Sequence, residues 1–154
     1  MLPFCYLHWL DMQRFILILF SLLALTACQR TDPNSPVSLR KATFKEMLKS
    51  REAIHAMLNG DKPYKQDELL KEAIKLKQKS QQPWAYFAEF AITQQSTSKQ
   101  QADAKDFHAA AENMQQQSVA LEAAAQSGQS ENIRASYKAV ENACIRCHQQ
   151  FRPG

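Results

Sequence analysis

Ser130-Glu-Asn-Ile133-Arg-Ala-Ser-Tyr137-Lys-Ala-Val140-Glu-Asn-Ala-Cys144-Ile-Arg-Cys147-His148-Gln-Gln-Phe151 is the stretch that decides the fold. Ile133, Tyr137, Val140, Cys144, Cys147 and Phe151 recur at alternating spacings of four and three. That period puts them on one face of a helix over 131–151, with Ser130 as candidate N-cap and Gly128 closing the segment before it. A helix with a single apolar seam is stable only when that seam is buried against other elements.

The same period recurs three times upstream. Residues 99–126 carry Phe107, Ala111, Met114, Ser118, Leu121 and Ala125. Residues 64–82 carry Leu69, Leu70, Ala73, Ile74 and Leu76, and Pro83 ends them. Residues 39–58 carry Phe44, Met47, Arg51, Ile54 and Leu58, with Leu48 on the flank, Ser38 as candidate N-cap and Asn59-Gly60 as the stop. Between the second and third segments lies a loop over 83–98 with Trp84, Tyr86, Phe87 and Phe90. Four amphipathic helices with short first and last turns predict an all-α, antiparallel up-down-up-down four-helix bundle over 39–154. Only three glycines in 154 residues argue against a sandwich or barrel. The Ala-rich seam of 99–126 leaves little bulk, which implies space for something other than side chains.

Residues 1–27 read as a lipoprotein-type signal peptide. Arg14 precedes the uncharged run Phe15–Ala27, which ends in Leu25-Thr26-Ala27-Cys28. Thirteen residues of helix span about 20 Å, short of a ~30 Å hydrocarbon core. Residues 1–11 are surplus to a signal peptide that could start at Met12. Leu25-Thr26-Ala27-Cys28 resembles a bacterial lipobox. The resemblance implies that Cys28 is diacylated and becomes the mature N-terminus, with plain secretion as the alternative. Gln29 after it points to the outer membrane of a Gram-negative bacterium. Residues 28–38 then form a lipidated N-terminus and a polar, Pro-punctuated tether.

Cys144-Ile-Arg-Cys147-His148 is C-x-x-C-H, the attachment signature of c-type haem. Two thiols add across the two haem vinyl groups, and the adjacent imidazole reaches the iron. Positions 144, 147 and 148 share one helix face, so ring edge and axial nitrogen are presented together. The competing chemistries are weaker. A Cys144–Cys147 disulfide would cross-link one turn and constrain little. A thioredoxin-like site expects a βαβ unit, and a zinc site needs further ligands.

With that motif at the C-terminal end of the last helix, the chain resembles the class II c-type cytochromes, of the cytochrome c′ type. In layout it also resembles the periplasmic four-helix-bundle b cytochromes. The resemblance covers 39–154, including Asp106-Phe107 and Gln149-Gln150-Phe151. It implies one covalent haem c between the helices, His148 as proximal ligand, and a residue of the first helix facing the other side of the iron.

The first helix offers Met47, His55 and Met57. Arg51-Glu-Ala-Ile-His55 mimics the Arg-x-x-x-Met stretch of class II proteins and would select His55. Rise per residue selects Met47. His148 lies ~26 Å down the last helix from its start, Met47 ~17 Å below the end of the first helix, and His55 only ~5 Å below it. Side chains lean toward a helix N-terminus, which narrows the first mismatch and cannot close the second. Met47 is thus the expected second ligand. A core methionine beneath a five-coordinate iron is the alternative.

A His148/Met47 pair saturates the iron and implies an electron carrier rather than a catalyst, partnered by redox proteins not identified by sequence. The alternative is a five-coordinate haem protein that binds NO or CO. A haem peroxidase lacks a clear distal His/Arg pair. Arg51 either pairs with a propionate or snorkels. His108 is expected to face solvent. Trp84 and Phe87 either cover the haem edge or form a small core of their own. The net charge of +4 is too small to imply nucleic acid. It is asymmetric, because residues 40–79 hold eleven Lys/Arg against six Asp/Glu. That excess is either a solvated helix face or a docking surface for an acidic partner. Membrane contact is expected through the lipid anchor alone, and the oligomeric state is monomer or homodimer.

Overall fold

The computed structural model describes residues 32–151. The signal peptide over 1–27, Cys28 and the start of the tether lie outside them. Four helices account for the bundle: α1 (Pro36–Asn59), α2 (Gln66–Ser80), α3 (Ser98–Ser127) and α4 (Ser130–Phe151). Between α2 and α3 run two short 3₁₀ turns, Pro83–Tyr86 and Ala88–Phe90. Among the described residues no helix is long and apolar enough to cross a membrane.

Helix ends follow local chemistry, and two caps differ from the sequence expectation. α1 starts at Pro36 rather than 39, and its cap is Ser35, whose hydroxyl accepts from the Ser38 N–H at 3.2 Å. Proline at the first helical position needs no N–H partner and is preset in φ, so the helix extends back over residues expected in the tether. Ser130 is likewise the first residue of α4 and not its cap. The Gln129 carbonyl accepts the Ile133 N–H at 3.0 Å and begins the ladder. α3 opens on a capping box: the Gln100 N–H donates to Thr97 Oγ1 and the Thr97 N–H donates to Gln100 Oε1. α1 and α3 both end on a left-handed glycine, Gly60 at φ 84° and Gly128 at φ 69°. These are conformations that a Cβ disfavours.

The seams predicted from period close on one another. Ile54, Leu69, Leu76, Leu121, Ile133 and Val140 are fully buried. α1 packs on α2, α2 on α3 and α3 on α4. Ion pairs run across these contacts, Lys75–Glu46 between α1 and α2 and Lys77–Glu122 between α2 and α3. The buried hydroxyls of Ser80 and Ser118 donate to carbonyls of their own helices, Lys77 and Met114. α1 and α4 come near each other at few places, and a cavity opens between them toward the end of the bundle that carries the 3₁₀ turns.

Candidate haem site

The cavity measures about 700 Å³, within the ~300–1,000 Å³ that encloses cofactor-sized molecules. α1 contributes Phe44, Met47, Leu48 and Arg51 to its wall, and α4 contributes Val140, Ala143, Cys144, Cys147, His148 and Phe151. Met114 comes from α3 and Leu76 from α2. The 3₁₀ segment supplies Trp84, Phe87, Glu89 and Phe90. The C-x-x-C-H residues thus stand on one wall because they share one face of α4, as their spacing requires.

Cys144 and Cys147 are free, half-buried thiols. Burial pushes the Cys144 thiol above its ordinary pKa, and the Arg51 cation partly counters it. Burial alone does the same to Cys147. Cys144 Sγ lies 3.7 Å from Met114 Sδ. If Cys144 carried a haem thioether, Met114 would stand beside that bond. Its helical spacing had marked it only as a seam residue. Among the described residues no three His, Cys, Asp or Glu side chains come together as a metal site.

Met47 is 6% exposed and lines the cavity. His55 is not in the lining. It is exposed, bonded to Asn59 at 2.7 Å, with its ring 5.8 Å from that of Tyr137. Met57 is buried at the far end of the bundle, beside Leu58, Asn59 and Gly60 in a separate cleft. His108 is exposed, as expected.

The aromatic segment is both wall and core. Phe107 stacks on Phe90 at 4.1 Å between centroids, and Phe87, Phe151 and Trp84 surround it at 4.9, 5.4 and 6.0 Å. Trp84 Nε1 donates to the Ser80 carbonyl, which ties the segment to the end of α2. Arg40 clamps it to α1, pairing with Glu89 at 2.8 Å and lying 4.4 Å over the Phe87 ring. Burial raises the Glu89 carboxyl, but its own backbone N–H and Arg40 outweigh that and hold its pKa below the ordinary value.

Among the described residues, two buried polar atoms, Ser50 Oγ and Arg51 Nε, have no hydrogen-bond partner. A cavity of this size lined largely by apolar side chains, with two thiols and an imidazole on one helix face, fits a haem c.

Tyr137 stands below the cavity. Its hydroxyl donates to Glu141 at 3.0 Å and lies 3.4 Å from the Arg51 carbonyl. Burial, and then the Glu141 carboxylate, hold the phenol above its ordinary pKa. The folded chain therefore keeps a proton that the unfolded chain releases near pH ~10, so stability falls as pH rises through that value. Tyr137→Phe should abolish that part of the slope. Urea unfolding between pH 8 and 11 should show wild type losing ground to the variant. At neutral pH the variant should be about 0.5–1.5 kcal/mol less stable, through the lost hydrogen bond.

Residues 35–152 match the family described as Cytochrome C′. Residues 12–29 match a prokaryotic membrane lipoprotein lipid attachment site. No curated protein matches the chain. Among solved structures, cytochrome c′ from Rubrivivax gelatinosus is 22% identical with a TM-score of 0.68, covering 81% of this chain and 100% of its own. A variant of cytochrome c prime from Alcaligenes xylosoxidans, complexed with nitric oxide, is 25% identical with a TM-score of 0.67, covering 80% and 98%. A carbon-monoxide-bound variant of the same protein is 25% identical with a TM-score of 0.65, covering 77% and 94%. Since the family match runs over all four helices and the cavity between them, the chain belongs to the cytochrome c′ family, whose members carry one covalently bound haem c.

Proposed function

We propose that the protein is a lipid-anchored periplasmic haem protein whose iron keeps its sixth position for a small gas ligand such as nitric oxide or carbon monoxide. Cys144 and Cys147 hold the haem covalently and His148 is its axial ligand. Residues 1–27 are removed and Cys28 carries the lipid, followed by the tether. The observation that carries the open site is that the α1 side chains lining the cavity, Phe44, Met47 and Leu48 together with the cations Arg40, Lys41, Lys45 and Arg51, include no imidazole. The apolar part of that wall, Phe44 and Met47, offers the iron no strong ligand and admits uncharged diatomic molecules. The nitric oxide and carbon monoxide complexes of the Alcaligenes protein support the same reading.

When bound, the haem supplies an iron that takes up small ligands and changes oxidation state. The chain orients it through the fixed spacing of the two thiols and His148, and shields it with the aromatic segment that Arg40 clamps to α1. Met47 is then a core methionine. Its place in the wall favours one other reading, in which its thioether closes the sixth position and the protein carries electrons between redox partners. In neither reading is the chain a catalyst.

The spin state separates them. The purified ferric protein should be high-spin, and the ferrous form should bind carbon monoxide without displacing a protein ligand. A low-spin ferric spectrum with the near-infrared Met–Fe band, turned high-spin by Met47→Leu, would overturn the gas-binding reading in favour of electron transfer.

A further inference from the structure

Among the described residues, three cations of the cavity wall, Lys41, Lys45 and Arg51, form no ion pair, and Arg51 alone of them has a buried polar atom without a partner. Arg51 follows Met47 by one turn of α1, so both enter the cavity from the same wall. Its Nε is buried without a partner, and among the described residues no carboxylate forms an ion pair with it. Glu141 is occupied by the Tyr137 hydroxyl. Arg40, on the same helix, is by contrast satisfied by Glu89 and the Phe87 ring. Arg51 is half-buried, its buried Nε–H costs free energy while unpaired, and the planar fork of donors matches an oxyanion.

The position of Arg51 decides which oxyanion. Its carbonyl lies 3.4 Å from the Tyr137 hydroxyl, so it faces α4 at a level two turns before Cys144, at the end of the cavity away from the 3₁₀ turns. In haem, the carbons that bond to cysteine sulfur and the propionates lie on opposite edges of the ring. A guanidinium at the Tyr137–Cys144 end of the cavity would therefore lie toward the thioether edge of a haem held there. The cation suited to a propionate is Lys41, which lines the cavity about 15 Å away along α1 and forms no ion pair among the described residues.

We propose that Arg51 forms an anion subsite inside the cavity, binding a small oxyanion of the nitrite class beside the sixth position of the iron. The proposal rests on the open sixth position proposed above. Its probe is nitrite added to the ferric holoprotein, read by absorbance, with carbon monoxide on the ferrous form as the neutral control. Arg51→Leu should weaken nitrite binding about 10–100-fold, the worth of a charge-assisted hydrogen bond, and Arg51→Lys should recover part of that loss. Carbon monoxide affinity should change less than about threefold. Should Arg51→Leu not fold, Arg51→Gln carries the same test.

Nitrite and carbon monoxide weakening together would make Arg51 a shaping residue and overturn the subsite. Unchanged nitrite binding in Arg51→Leu, with a moved pH dependence of the reduction potential, would assign Arg51 to a propionate and overturn it too. In both cases a high-spin protein leaves the gas-binding reading standing. A low-spin protein that takes up neither ligand overturns that reading and the subsite alike.

Discussion

Cys144→Ala combined with Cys147→Ala should turn a haem that resists acid–acetone extraction into one that is lost on extraction. Thioether bonds survive acid and organic solvent, whereas an iron–imidazole bond and apolar contacts do not. Denatured wild type should therefore keep its absorbance on a gel and in the extracted pellet, and the double variant should lose all of it. Either single variant should retain colour through its remaining thioether. The double variant should also be less stable when isolated. Phe44, Met47 and Met114 line a cavity of about 700 Å³ whose contacts depend on the haem, and a group that binds only the folded chain stabilises it by mass action. Haem extracted from the wild-type protein would end the covalent assignment.

Phe107→Ala should cost about 3–5 kcal/mol, the largest expected stability loss from one side chain. Phe107 is 2% exposed and at the centre of a cluster that joins α3, α4 and the 3₁₀ segment. Its stacking on Phe90 is near parallel, with 5° between the rings, so truncation removes an aromatic pair as well as buried area. Because Phe90 and Phe87 belong to the segment and Phe151 to α4, the loss should loosen the cavity wall together with the core. Urea midpoints of the holoprotein measure the cost. Leu48→Ala, at a cavity-lining side chain that is 44% exposed, is the control and should change stability by less than about 1 kcal/mol. A Phe107→Ala cost no larger than the control would show that Trp84, Phe87 and Phe90 do not depend on it.

By itself the sequence determined the four seams, the bundle and the cofactor-bearing face of the last helix. All of these depend on spacing along one chain: the 4,3 period of Ile133 through Phe151, the Gly60 and Gly128 stops, and the C-x-x-C-H register are local properties of a helix. Rise per residue even separated Met47 from His55, since the mismatch in level exceeded what any side-chain lean could close, and the structure puts Met47 in the cavity wall and His55 outside it. Caps were less legible. Ser35 and not Ser38 caps α1, and Ser130 is the first residue of α4 and not its cap, because several neighbouring residues can satisfy the same free N–H groups. What only the tertiary structure decided is everything that depends on distance between helices: that α1 and α4 part to leave the cavity, that Met114 of α3 meets Cys144, that Arg40 finds Glu89 across the loop, and that Arg51 forms no ion pair among the described residues. Periodicity states which way a side chain faces on its own helix. Whether a charge there meets a partner or an empty wall is set by how far apart the helices stand, and a one-dimensional pattern does not carry that length.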